Sequence, residues 1–200
     1  LLPACTRHAS RTPRDRRAPV VAAPAVLLDH VWLVVAPGAP EGAALEGAGL
    51  RLAPGVNRHD GQGTASITVE LENAFVELIW ADSTVPVAPG LEGLQQSFRR
   101  RADWRATGWS PIGLGFRRPP GATDSLPVPS RPVRAAWMPP GAELRLLTGA
   151  ADSLAPRLWV VPAVMGVRDA AGEDSVRRGE GGWATLRHPL GVRRLTGATV

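Results

Sequence analysis

Two side chains in the first half of this 200-residue chain are of types that do chemistry together: His30 and Glu77. An imidazole and a carboxylate within reach can share a proton. They can also supply two of the three or more N, O or S donors that a divalent ion needs. The only other histidines beyond the N-terminal tail are His59 and His188. His59 is the better third donor, because it lies in a loop joining strands of the same segment, whereas His188 must return from the far end. Glu70 joins them only if its strand face turns inward, which alternation alone does not fix between strands. Two states therefore stay open. In one, His30 is hydrogen-bonded to Glu77 with no metal. In the other, His30, Glu77 and His59 surround an ion and leave positions for a substrate.

The elements that must position these residues follow from periodicity. LLDHVWLVV at 27–35 is β-branched and apolar without a helical period, a buried strand. Alternation puts His30, Trp32 and Val34 on one face and Val31, Leu33 and Val35 on the other. Pro37-Gly38 ends it, and Pro40 and Gly49 bracket a short helix that Gly42 and Gly47 each weaken by roughly 1 kcal/mol. Leu50–Ala53 reads as a brief strand, and VNRHDGQG as a loop. From Thr64, Ile67, Val69 and Leu71 alternate with Ser66, Thr68, Glu70 and Glu72, a strand with one apolar and one polar face. After a turn at Glu72-Asn73, Phe75, Glu77 and Ile79 share a face of the next strand.

The second half is shorter and rich in proline. Ser83–Gly93 is a connector, followed by a helix with Leu91, Leu94 and Phe98 at helical spacing. Arg99–Arg101 beside Trp104 and Trp109 could bind nucleic acid or an anionic ligand, but beside a nearly neutral body the cluster reads as a solvated helix end with tryptophan packed beneath it. SPIGLGFRRP is a strand, and PPGATDSLPVPSRPV has too many prolines for a full helix. Arg134–Met138, Ala142–Thr148 and Leu158–Val164 are three further short strands.

LDHVWLVV, ALEGAGLRLAPG, HDGQGTAS and FVELIW, in that order, resemble the glyoxalase-like branch of the vicinal oxygen chelate superfamily. The resemblance covers residues 27–83 and rests on four short motifs. It implies an α+β fold of paired βαβββ modules forming a cup-shaped sheet around a small-molecule site, the second module being trimmed. It also implies a divalent metal ion (Zn, Fe, Mn or Ni) held from the first and last strands of each module. His30 and Glu77 match the first-module positions, with Glu77 as ligand or general base. Neither PIGLGF nor LWVVPAV offers a His or carboxylate where the second pair of ligands would fall. LRHPLGVRRLTGATV resembles the family's HP-containing return segment leading into a final strand. The organisation expected is a tail at 1–25, a first module at 26–83, and a linker with a short helix at 84–108. A degenerate second module at 109–165 follows, then a Gly-rich loop and final strand at 166–200.

Two functions follow from the resemblance. One is a metal-dependent lyase, isomerase or dioxygenase acting on adjacent substrate oxygens. The other is a metal-free module that sequesters a ligand between aromatic walls. Trp32 and Phe75 are the walls on the face of His30 and Glu77, with Trp80 on the opposite face. Other catalytic templates are missing: there is no HExxH, GxSxG, CxxC or GxxxxGK[ST], Ser110 has no evident base, and GQGTAS lacks dinucleotide-loop spacing.

The basic residues are all arginine. Residues 1–20 carry five arginines against Asp15, a net +4, while the other 180 residues carry 18 arginines against 17 acids, a net +1. A nearly neutral body does not suit nucleic acid. No apolar run reaches the length of a membrane span. LLPAC resembles the end of a bacterial lipoprotein signal. Lipidation at Cys5 would then make the Arg-rich tail a tether to a membrane, as against an ordinary disordered arm in the cytoplasm. The partners expected are a small-molecule ligand, a membrane only through that lipid, and a second copy of the chain in a homodimer.

Overall fold

The computed structural model describes residues 26–119, 126, 128–148, 154–162, 164–165 and 187–197. The tail with Cys5, residues 120–125 and 127 of the proline-rich stretch, and the Gly-rich loop lie outside the described residues. Among those described, the fold is α+β, an eight-stranded, mixed, curled sheet with few helices.

The apolar stretch that opens the body forms β1 (Leu27–Val34). Its neighbour on one side is β4 (Phe75–Ala81), in parallel, and β3 (Thr64–Glu70) and β2 (Asn57–His59) follow outward, each antiparallel to the last. On its other side β1 pairs antiparallel with β5 (Ile112–Arg117). Next come β8 (Arg157–Val161) in parallel, then β7 (Leu144–Leu147) and β6 (Ser130–Val133), each antiparallel. The order β2-β3-β4-β1-β5-β8-β7-β6 thus repeats one pairing pattern on either side of the β1–β5 seam.

Each face of the sheet has its own cover. Helix α1 (Gly42–Gly47) lies on the outer face, where a Cβ on Gly42 would stand 3.0 Å from Leu52 and 3.2 Å from Ile67. The packing there joins Val35, Ala65, Leu78 and Trp80, with Leu33, Leu45 and Ile67 half-buried against them. Helix α2 (Glu92–Ala102) lies on the inner face. Its Leu94 and Phe98 enter a cluster with Trp32, Val34, Ile79, Leu144, Trp159 and Val161. Full burial of such side chains stabilises the fold by about 1.5–3 kcal/mol each. A one-turn helix, α3 (Trp104–Thr107), follows α2 and ends at Gly108. No helix of the described residues is long and apolar enough to cross a membrane.

Several boundaries differ from expectation. Leu50–Ala53 is not a strand and makes one ladder-like bond, Ala53 N–H to Thr68 C=O at 2.7 Å. The edge strand is instead Asn57–His59, inside the stretch expected as a loop. An edge needs partners along only one side, so a polar triplet with no apolar alternation can serve. Arg134–Met138 is likewise not a strand, since Met138 N–H turns back to Ala135 C=O. Its place is taken by Ser130–Val133, which contains Pro132; the outermost position in the sheet tolerates the missing N–H. The strand expected at 142–148 is trimmed to 144–147, and that expected at 158–164 runs from 157 to 161. Residues 187–197 form no strand. They dock on the first half by scattered bonds: Leu190 N–H to Gly49 C=O, Glu72 N–H to Arg193 C=O, and Asn73 with Leu195 in both directions.

Candidate functional site

His30 is held from three sides. The ladder between β1 and β5 shifts register between Leu28 and His30, so neighbouring residues Asp29 and His30 are both buried, at 2% and 9% exposure. Nδ1–H of His30 donates to Asp29 Oδ1 at 2.8 Å. Phe75, the cross-strand partner on β4, stacks on the ring at 4.5 Å and 16°. The other flank is Gly115 of β5, where a Cβ would fall 2.0 Å from His30 Cε1. Two residues along, Trp32 lies across Gly113 in the same way, with a Cβ there only 1.9 Å from the indole. The two glycines of PIGLGF thus leave space for rings that reach over from β1. What β5 lacks in ligands it supplies in room.

Glu77 stands between two imidazoles. Its Oε2 is 3.9 Å from His30 Nε2 and its Oε1 is 3.8 Å from His59 Nε2, beyond hydrogen-bond distance on both sides. His59 ends β2, and the curl of the sheet brings it over the face that carries Glu77. Its Nδ1 shares a 2.9 Å hydrogen bond with Thr64 Oγ1, which also accepts from Gln62 Nε2 at 3.0 Å. Burial lowers the His59 pKa below its ordinary 6.5, and nearby His30 adds to that, while Glu77 pulls the other way. His59 is therefore a neutral imidazole near pH 7.

These groups line a cavity of about 370 Å³. Its wall divides by origin. Asp29, His30, Arg58, His59, Glu70 and Glu77, the ionisable lining residues, all come from β1–β4. Leu144, Trp159 and Val161 of the second half, with Phe98 of α2, make the apolar wall. Thr68 and Glu70 show that the polar face of β3 does turn inward. Trp137 closes one side, tilted 45° against His59 at 4.9 Å.

The structure therefore brings His30, Glu77, His59, Trp32 and Phe75 to one cavity. Trp80 is buried on the outer face. His188 lies elsewhere, with Nδ1 accepting from Arg51 N–H at 2.9 Å and Nε2–H donating to Glu70 C=O at 2.8 Å. Both ring nitrogens are used, and the residue is a structural bridge. Ser110 accepts from the Ile112 N–H through Oγ, and its carbonyl accepts from Arg101. Arg101 is 1% exposed, and burial lowers its pKa; Arg100 and Arg101 lie over Trp109 at 5.3 and 5.5 Å. Sequence reading missed Asp29, Gln62, Phe98, Trp137 and Trp159. Only Asp29 carried a signal, an acid inside an otherwise apolar strand.

By chemistry, two imidazoles and a carboxylate are donors for a divalent ion. By arrangement, no group of three or more His, Cys, Asp or Glu side chains among the described residues is drawn together closely enough to hold one.

The fold and site define an α+β protein with an acid–imidazole row in an aromatic-walled cup. No family model matches the chain, and no curated protein matches it. Among solved structures it is similar to the hypothetical protein BH1468 from Bacillus halodurans C-125. That likeness has 15% identity and a TM-score of 0.43, over 70% of this chain and 95% of that one.

Proposed function

We propose that the protein is a glyoxalase-like small-molecule-binding protein whose ligand lies in the cup beneath α2. The observation that carries this is the cavity itself. Its volume falls in the range of small-molecule sites, and it joins a few convergent polar groups to an apolar wall. The sequence resemblance to the glyoxalase-like branch supports it, as does the strand order that repeats about β1 and β5. The paired-module description belongs to the same proposal. Glu77, between two imidazoles, is the group that acts on a proton of the ligand in this reading.

A protein-observed NMR screen of small organic molecules tests this. Binders should perturb the Trp32 and Trp159 signals and be lost in Thr68→Phe, which fills the cavity. Binders that leave those signals untouched, or persist in Thr68→Phe, refute a site in the cup.

A second reading is a metal-dependent lyase, isomerase or dioxygenase using zinc, iron, manganese or nickel. One observation favours it. Both histidines turn Nε2 toward Glu77 while a neighbouring side chain occupies Nδ1, as outer-shell partners orient metal-ligating histidines. An ion there would supply Lewis-acid polarisation of adjacent substrate oxygens. His30, His59 and Glu77 must then close up around it. Elemental analysis and divalent-ion titration of the wild type against His30→Ala, Glu77→Gln and His59→Ala decide the matter. Stoichiometric metal lost in each variant supports the reading, and no binding by the wild type at high micromolar concentration ends it.

A further inference from the structure

Three arginines gather at one end of the inner face, and none of them lines the cup. Arg157 opens β8 two residues before Trp159 and shares its parity, so it lies on the face that carries Trp159 and Val161. Arg131 of β6 pairs with Leu146 of β7, which pairs in turn with Trp159, so it stands on that face too. Arg101, in the last turn of α2, comes down on the same corner. It donates through Nη1 to the carbonyl of Ser110 and, at 3.3 Å, to that of Ala155, two residues before Arg157.

No carboxylate meets this group among the described residues. Arg101 is 1% exposed and is held by those two carbonyls and by the Trp109 ring 5.5 Å away, all of them neutral. Arg157 is half-buried, with its Nε out of water and without a hydrogen bond. Arg131 is exposed and has no ion pair among the described residues. Glu143, the acid beside β7, has the opposite parity to Leu144 and Leu146 and is taken by Arg134 at 2.6 Å and Arg145 at 3.0 Å.

An arginine does not relieve such crowding by shedding its proton. Burial, and then the charges of Arg101 and Arg131, push Arg157 down to about 10, which leaves it charged at pH 7. A charge drawn from water with like charges beside it costs stability until an opposite charge answers it.

We propose that this corner is an oxyanion site, separate from the cup, which takes a phosphate group between Arg157 and Arg131 with the charge of Arg101 behind them. The two guanidiniums come from strands on either side of β7, and exposed Arg131 leaves the corner open to solvent. Guanidinium forks match paired phosphate oxygens, and a dianion offsets two charges at once. Free phosphate and a phosphate ester present the same chemistry to this corner.

The test titrates the wild-type chain by calorimetry with inorganic phosphate, glycerol phosphate and glycerol, in chloride buffer at constant ionic strength. Both phosphates should bind at low millimolar concentration or below, and glycerol should not. Tighter binding of the ester assigns the site to an ester, and the reverse to the free ion. In Arg157→Gln and in Arg131→Gln the affinity should fall at least about fivefold, the loss of one charge-assisted contact. Arg134→Gln, next to β6 but paired with Glu143, should leave it unchanged. Stability gives a second readout. Arg157→Met removes the charge and keeps an apolar stem, so its Tm should lie above wild type in chloride and below it in saturating phosphate. Arg131 is exposed, so Arg131→Gln keeps the binding test decisive if the Arg157 variants do not fold. The proposal is overturned if the wild type binds neither phosphate at tens of millimolar, or if both arginine variants keep full affinity. It is equally overturned if Arg157→Met is destabilised to the same extent with and without phosphate.

Discussion

At the scale of single residues, His59 links the site to the stability of the fold. Its pKa in the folded chain lies below the 6.5 of the unfolded one, because burial penalises the imidazolium. As pH falls through about 6.5, the unfolded chain takes up a proton before the folded one does. Stability that is fully present above the unfolded pKa is therefore lost on acidification, down to the folded pKa. Thermal unfolding should show Tm falling between about pH 7.5 and pH 5.5, with a shallower fall in His59→Gln, which cannot titrate there. Equal slopes in the two proteins would mean that His59 is not the group responsible. His30 is fixed by packing and a hydrogen bond. Its ring is clamped between Phe75 and Gly115 and tethered to Asp29, so its orientation is set before any ligand arrives.

At the scale of elements, β5 matters most for what it lacks. Its Gly113 and Gly115 lie under the Trp32 and His30 rings, and a methyl group at either would overlap them. Gly115→Ala should push His30 out of line with Glu77, reducing ligand affinity at least about tenfold and destabilising the fold by about 1–3 kcal/mol, the usual cost of overpacking. Gly93 is the control. It sits in α2 with nothing within 4 Å of an added Cβ, so Gly93→Ala should stabilise by about 0.5–1 kcal/mol and leave affinity unchanged. Urea unfolding with the binding assay of the cup checks both, and wild-type affinity in Gly115→Ala would show that the cradle is dispensable. The strand itself was legible in SPIGLGF. The purpose of its glycines was not, because it depends on which strand pairs beside it.

At the scale of the whole molecule, residues 187–197 brace the first half. His188 receives the Arg51 N–H and donates to the Glu70 carbonyl, and Arg193 pairs with Glu72, so residues 187–197 span α1, β3 and the turn before β4. His188→Ala leaves a backbone donor and a backbone acceptor unmet, and should cost roughly 2–4 kcal/mol in equilibrium unfolding. A change below about 0.5 kcal/mol would mean that solvent replaces both bonds. Any metal content should be unaffected, since His188 is not part of the cavity lining.

The sequence by itself determined the inner strands of the first half and the parity within them. The apolar run at 27–35 and the alternation at 64–72 and 75–79 put His30 with Trp32, and Phe75 with Glu77, on shared faces. A strand's two-residue period is local and survives folding. Only the tertiary structure decided the rest. Asp29 joins His30 inside because of a register shift against β5, and His59 meets Glu77 because the sheet curls. His188 turns out to be a brace, and the edges fall at Asn57–His59 and Ser130–Val133 rather than at the more strand-like neighbours. Each of these depends on which distant backbone lies alongside, and that is set by closing the whole sheet, so no window of neighbouring residues contains it.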